Sequence, residues 1–436
     1  MEPFVLMILV VMVLMACASA PWAMALLIMM LILEVSLQAS SSTFRAMPML
    51  GNVLAALPAS LSIARVLARE PRPLMGYLTK ESIATFVLLG WSVFSLAWSP
   101  TNSVPGGRTM SASGLYLITE SIPYFLVFVV AAPLLMTSVA SWRQTCSVLL
   151  WVGPIIAATI LFNPELAIRG GRLGTTLEGA ARSSPLALSQ AGGVIAIVGA
   201  LAVTPQGARI GALLRWAAFV GGTAVTLLSG TRGQAVFAAV CIVIAFPISR
   251  PLLNPKSFVS VVVSGALMVL VAIFVFDFAL TQTDNDRWKA NAVVSGTNVR
   301  LYNALELLTA FADTPSAWFI GLGFNAFSAI CGDPREGYSH NLYVDILCEL
   351  GVPMFLLFAG SLMGCLHQAR RLIKIHADSP VDRAAVATLI ALATYSLLIA
   401  GKEGNLWASF SVYMYLAIIA RLGVREGVAV PVSETS

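Results

Sequence analysis

The sequence predicts an all-α fold, a polytopic membrane helix bundle, on three observations. Of 436 residues, 58% are hydrophobic and 11% charged, and the mean hydropathy is +0.86; a soluble domain of this length does not present such a composition to water. Apolar runs long enough to cross about 30 Å of hydrocarbon as a helix recur from one end to the other. Those runs are continuously apolar, whereas the strands of a membrane barrel alternate between two faces.

Taken in order, the runs cover 4–18, 22–37, 82–98, 114–136, 146–162, 185–203, 212–228, 233–248, 258–280, 342–366, 384–400 and 406–420, about 12 transmembrane helices in a single membrane domain, 1–436. Between the second and third runs, 46–64 carries no charge but holds Pro48 and Pro58. It reads as a re-entrant or in-plane segment, with a full crossing as the alternative. The start, through Cys17 and Ala18-Ser19-Ala20, faintly resembles a cleavage site but lacks the basic region of a signal peptide. Three outer loops are long: 99–113, 163–184 and, between spans 9 and 10, 281–341. In that last loop Leu301, Leu305, Leu308 and Phe311 fall near helical spacing and predict an amphipathic helix near 299–312 lying on the membrane surface. Asn298 is placed to cap its start, which would put Arg300 in the first turn, among free backbone N–H groups that favour an anion.

Basic residues orient the bundle, because Lys and Arg flanking spans are retained on the cytoplasmic side. With the amino terminus inside, most of the 26 Lys and Arg fall on inner loops. Arg108, Arg169, Arg172, Arg182, Arg232, Arg287, Lys289, Arg300, Arg335 and Lys402 remain outside, against the insertion bias. An anionic ligand would explain them; so would lipid headgroups. The formal net charge of +5 is scattered over short loops, which points to membrane lipids as partners and to no nucleic acid. The six cysteines show no Cys-x-x-Cys spacing, and only Cys331 sits clearly in an outer loop, so neither a disulfide framework nor a cysteine-bound metal is expected. Asp284-Asn285-Asp286 has a carboxylate pair but no companion ligand, and reads as a solvated turn.

The residues suited to chemistry are few. A guanidinium offers phosphate oxygens a planar fork of donors and keeps its charge at any working pH. Arg232 sits in Ser229-Gly230-Thr231-Arg232-Gly233, a tight outer turn where small residues let backbone approach a ligand. His340 is the single histidine on the outer side, since His367 and His376 fall in an inner loop. An imidazole titrating near neutrality can take a proton from a hydroxyl, which Arg and Lys cannot; a capping or interface role is the alternative. Asn341, Asp345 and Glu349 step by four along the following helix and form a polar stripe entering the membrane. Asp345 is placed to orient a polar neighbour, Glu349 to make a structural contact.

Four segments together resemble the O-antigen ligase and polysaccharide polymerase superfamily of bacterial inner membranes. Ser229 to Gly233 is similar to that family's small-Ser-Arg-Gly turn. Arg300 stands ahead of Gly321-Leu322-Gly323, similar to its Gly-x-Gly segment, and His340-Asn341 with Glu349-Leu350-Gly351 resembles its His-Asn and Glu-x-Gly pattern. More weakly, Gly171 to Thr176 resembles its Arg-x-x-Gly-Thr stretch. The chain departs from the pattern at Val352-Pro353-Met354, where Pro353 is expected to bend the helix, and around Pro185, which lacks an accompanying Asn. The resemblance implies an inverting, metal-independent glycosyl transfer without cofactors on the periplasmic face of the bacterial inner membrane. The donor would be an undecaprenyl-diphosphate-linked glycan, the acceptor lipid A core or a second lipid-linked repeat unit. His340 would be the base, Arg232 and Arg300 the groups stabilising the diphosphate leaving group, and Arg172 and Arg182 further contacts to that anion, with Asn341 and Asp345 in support. A lipid-linked-glycan flippase or other transporter is the competing class, since it too needs a positive cavity.

Overall fold

The computed structural model describes residues 2–47, 49–69, 78–100, 114–163, 166–169, 172–175, 185–203, 208–250, 290–330 and 339–429, with isolated positions at 259, 263, 270 and 274. Its helices are α1 (Glu2–Ala18), α2 (Ala20–Ser40), α3 (Ser42–Ala46), α4 (Met49–Arg69), α5 (Lys80–Ser95) and α6 (Gly114–Tyr124), which runs through a π-helical stretch, Phe125–Ala131, into α7 (Ala132–Leu135). Then come α8 (Val139–Leu161), a two-stranded antiparallel hairpin of β1 (Leu166–Arg169) and β2 (Arg172–Thr175), α9 (Pro185–Leu201), α10 (Ala208–Leu228) and α11 (Arg232–Ser249). The last group is α12 (Ala290–Ala312), α13 (Ala317–Ile320), α14 (Phe327–Ile330), α15 (Leu342–Leu350), α16 (Val352–Ile375), α17 (Pro380–Glu403) and α18 (Phe410–Ala429).

Six of these stretches are long and apolar enough to cross a membrane: Leu117–Leu135, Val139–Leu161, Arg209–Leu228, Arg232–Ser249, Val352–Ile375 and Pro380–Glu403. The two halves of α2, Ala20–Met30 and Ile32–Ser40, meet at 67° and make a seventh if counted as one broken span. A multi-pass membrane bundle is therefore present, with fewer full-length spans among the described residues than the twelve expected. The shortfall has physical causes. Helices α1, α5 and α9 have 17, 16 and 17 residues, which at about 1.5 Å per residue stop short of a hydrocarbon core of about 30 Å. Helix α18 carries Arg421, Arg425 and Glu426 in its final turns, and the run 258–280 lies largely outside the described residues. Of segment 46–64, Met49 onward is helical in α4, with Pro58 inside it, and is not among the candidate spans; Pro48 lies outside the described residues.

Three sequence expectations are corrected. The run 342–366 is two helices, because Gly351 breaks it with φ +89°. Pro353 does not bend the second of them: it sits in the first turn of α16, where its missing N–H is an orphan position anyway. The helix expected near 299–312 begins at Ala290, so Asn298 lies within it instead of at its cap, and Arg300 stands near its middle instead of among the free N–H groups of a first turn.

At one pole of the bundle, ion pairs and carbonyl contacts tie the span ends together. Arg143 donates to Asp382 at 2.7 Å, Arg383 Nε to the Ile248 carbonyl at 2.7 Å, and the Val139 N–H to Glu426 at 3.0 Å. Deeper in, the Trp142 indole donates to the Ala385 carbonyl at 2.9 Å, and Trp142, Tyr395, Tyr413 and Tyr415 are among the largest fully buried side chains. Helices α11 and α17 run antiparallel along this core: Ile248 and Arg383 meet at one end, Gln234 and Glu403 at the other.

Candidate functional site

That second pole is organised by the last turn of α17, Gly401-Lys402-Glu403, onto which three other elements converge. The first is the start of α11. The Lys402 side chain lies against Gly233, its end occupying the space a Cβ there would take, 2.5–2.7 Å away. Beside it, Gln234 is 1% exposed and donates to Glu403 at 3.0 Å, while the Thr231 hydroxyl donates to the Gln234 side-chain oxygen at 3.3 Å. Arg232, at the first position of α11, is thereby aimed at the end of α17, where it comes within Coulombic reach of Lys402.

The second element is α12. Arg300 pairs with Glu403 at 3.7 Å, with the Arg300 side chain 38% exposed and that of Glu403 only 6%. It too acts electrostatically on Lys402. Lys402 itself contacts the Glu403 carboxylate. Arg300 and Lys402 thus meet one buried carboxylate, with Arg232 within electrostatic reach of Lys402, and the positive end of the α11 backbone dipole adds to them. Arg232 and Arg300 were expected here from the sequence. Lys402 was counted among the cations opposing the insertion bias but not placed in the site, and Glu403 and Gln234 were missed altogether. The available signal was a Lys-Glu pair at the outer end of a span, where each charge is costly without partners.

The third element is α15 with the turn before it. Tyr343 donates its hydroxyl to the Leu397 carbonyl at 2.9 Å, and its ring fills the space a Cβ on Gly401 would need. His340 stands one helical turn ahead of Tyr343, at the same end of α17. It is half-buried and adopts φ +63°, a left-handed conformation uncommon for a residue other than glycine. Ser339, 1% exposed, donates its hydroxyl to Asp345 Oδ1 and accepts the Asn341 N–H at 3.2 Å. The Asn341 side chain accepts the N–H groups of Tyr343 and Val344 at 3.1 and 3.3 Å, capping α15. Asp345 therefore orients Ser339, and through it the His340 turn. Helix α15 precedes the span of α16, and burial pushes the Asp345 carboxyl up to about 7.

Glu349 serves the scaffold. Its two carboxylate oxygens accept the N–H groups of Asn325 and Phe327 at 2.9 and 3.2 Å, and burial together with Asp345 raises it well above the ordinary carboxylate range. Gly321 and Gly323 belong to the same corner: the Leu322 and Gly323 N–H groups bond to the Cys348 and Glu349 carbonyls at 2.8 and 2.9 Å. Those N–H groups are consumed internally and form no phosphate cradle. The stripe Asn341, Asp345, Glu349 is thus a cap, an orienting group and a loop clamp.

Arg172 lies on β2, paired in register with Arg169, and its side chain is outside the described ones. Arg182, the Asp284-Asn285-Asp286 turn, Arg287, Lys289, Cys331 and Arg335 also lie outside the described residues. Among the described residues no group of three His, Cys, Asp or Glu is placed to hold a metal ion, and the cysteines are free. No protein-family model matches the chain, and no curated protein matches it.

Proposed function

We propose that this protein is a bacterial inner-membrane glycosyltransferase of the O-antigen ligase and polymerase type, acting on the periplasmic face. It would move a glycan from undecaprenyl diphosphate to an acceptor hydroxyl, either on lipid A core or on a second lipid-linked repeat unit. The observation that carries this reading is the gathering of Arg300 and Lys402 on Glu403, with Arg232 within electrostatic reach of Lys402, at the end of α17 against which the His340 helix packs.

In the proposed reaction His340 takes the proton of the acceptor hydroxyl, whose oxygen forms a bond to the anomeric carbon. The bond from that carbon to the diphosphate oxygen breaks with inversion, and its electron pair remains on the diphosphate. Charge grows on the leaving group as the bond stretches, so cations already fixed in a partly desolvated site favour the transition state over the bound donor. Arg232 and Arg300 supply that charge, with Lys402 as a third contributor. Asp345 and Asn341 hold the His340 turn, and Arg172 and Arg182 remain candidates for further contacts to the same anion.

Replacing His340 with Ala tests the assignment. Transfer of a lipid-linked glycan in proteoliposomes should be lost, while membrane insertion and thermal melting stay those of the wild type; a normal product from that variant would remove the catalytic role. Glycolipid profiles of a deletion strain then separate the two activities: core capped by a single repeat marks a polymerase, unattached polymer a ligase. The flippase reading draws on the 67° break in α2, near which Glu34 lies, since broken helices with ionisable residues mark transport paths. It predicts that His340→Ala still moves lipid-linked glycan between leaflets.

A further inference from the structure

Helix α12 carries more than Arg300 on its inner side. Leu307 and Phe311 pack into a small apolar cluster with Ala317, Phe327 and Cys348, and one turn closer to Arg300 the same face presents Asn303, which is 3% exposed. The Asn303 amide nitrogen is buried without a hydrogen-bond partner. A further turn along, Glu306 Oε2 is likewise buried without one. A buried donor left unmade costs stability that a leucine at the same position would not, so packing does not account for an Asn here.

The location follows from the contacts at either end. Arg300 meets Glu403 and Tyr343 meets Gly401, so α12 and α15 share the end of α17. Farther along, Leu307 and Phe311 share the satellite cluster with Cys348, Val344 and Leu347. Asn303 lies between these two contacts, beside the turn of α15 that follows His340. Along the axis of α12 it is about 4.5 Å beyond Arg300, and Glu306 about 9 Å, at the ordinary helical rise.

We propose that Asn303 and Glu306 form a hydroxyl-reading subsite for the sugar joined to the diphosphate. This rests on the function proposed above and names the part of its substrate that α12 recognises. An amide N–H₂ donates to a ring hydroxyl oxygen and a carboxylate accepts a hydroxyl hydrogen, so the pair matches a surface whose groups are both donor and acceptor. A phosphate offers only acceptors and would be repelled by Glu306. The phosphate end therefore belongs at Arg300, Arg232 and Lys402, and the polyhydroxylated end one to two turns along the helix.

The test compares two lipids on the full-length protein in nanodiscs: undecaprenyl diphosphate bearing a short oligosaccharide, and the same lipid without sugar. Wild-type protein should bind the sugar-bearing form more tightly. Asn303→Leu and Glu306→Gln should each weaken that form by about five- to tenfold and leave the sugar-free lipid unchanged, and Asn303→Leu should raise the melting temperature. Asn303→Asp, which keeps the shape and removes the donor, serves as a second variant should Leu disturb packing. Variants that retain the wild-type preference for the sugar-bearing lipid overturn the subsite alone, as does a wild type that binds both lipids equally. A wild type that binds neither lipid overturns the subsite together with the reaction it rests on.

Discussion

Glu403 is the residue whose removal should disturb the candidate site most. Its side chain is 6% exposed and meets Lys402, Gln234 at 3.0 Å and Arg300 at 3.7 Å. The Arg300 contact is long and its guanidinium 38% exposed, so solvent screening holds that pair to under about 1 kcal/mol. The other two contacts weigh more. Glu403→Ala would strand the Gln234 amide, at about 1–3 kcal/mol, and leave Lys402 facing Arg232 and Arg300 without its carboxylate. The total should approach the roughly 3–5 kcal/mol of breaking a buried pair. Glu403→Gln keeps an acceptor for Gln234 and loses only the charge, so it should cost clearly less. A double-mutant cycle of Glu403→Gln with Lys402→Met, read by unfolding in a lipid bilayer, should give a coupling of about 1.5–3 kcal/mol. A coupling below about 0.5 kcal/mol would show that the carboxylate does not organise these cations.

Three further outcomes are expected. Gly321→Ala should destabilise by more than about 2 kcal/mol in an unfolding measurement, because φ is +80° and the new Cβ would run into the Glu349 carbonyl; a neutral result would mean the corner repacks. Burial raises Asp345 from 3.8 to about 7, so folding favours its protonated form. Stability from this group is full below about pH 4 and is lost as pH rises through about 7. Asp345→Asn should therefore flatten melting temperature against pH across that window, and an unchanged slope would assign the dependence to Glu349. Transfer activity should survive EDTA; loss on chelation with recovery on adding a divalent ion would bring the Asp284 and Asp286 turn back into consideration.

The bundle was legible because continuous apolar length is a property of single segments, visible without knowing their neighbours. Less legible is where a helix breaks or begins when the deciding contact is distant. The run through Gly351 looks like one span from residue 342 onward, yet it splits because Gly351 packs against Gly321 and Phe319, some thirty positions earlier, with a Cβ there 2.9 Å from both. Arg300 was identified, but its setting was misread, since the helix extends back to Ala290 through residues of weak periodicity. His340 stood out by its chemistry. Its pinning by Ser339 and Asp345 depends on a left-handed turn that no spacing rule announces.

The charge arrangement explains why the end of α17 is built from such costly parts. Three cations near a single carboxylate leave the cluster positive, and the N-terminus of α11 adds to that sign instead of offsetting it. Half-buried cations repel one another more than exposed ones, because less water screens them. Packing alone would favour replacing Arg232 or Lys402 by an apolar residue of similar length, and Gly233 would then be free to carry a side chain. Instead Lys402 lies against the helix start at Gly233, and Gln234 and Glu403 bond to each other where neither meets water freely. Such a cluster would be stabilised by a dianion entering it. In the reaction proposed above, that would favour a departing diphosphate, whose negative charge increases as the bond breaks.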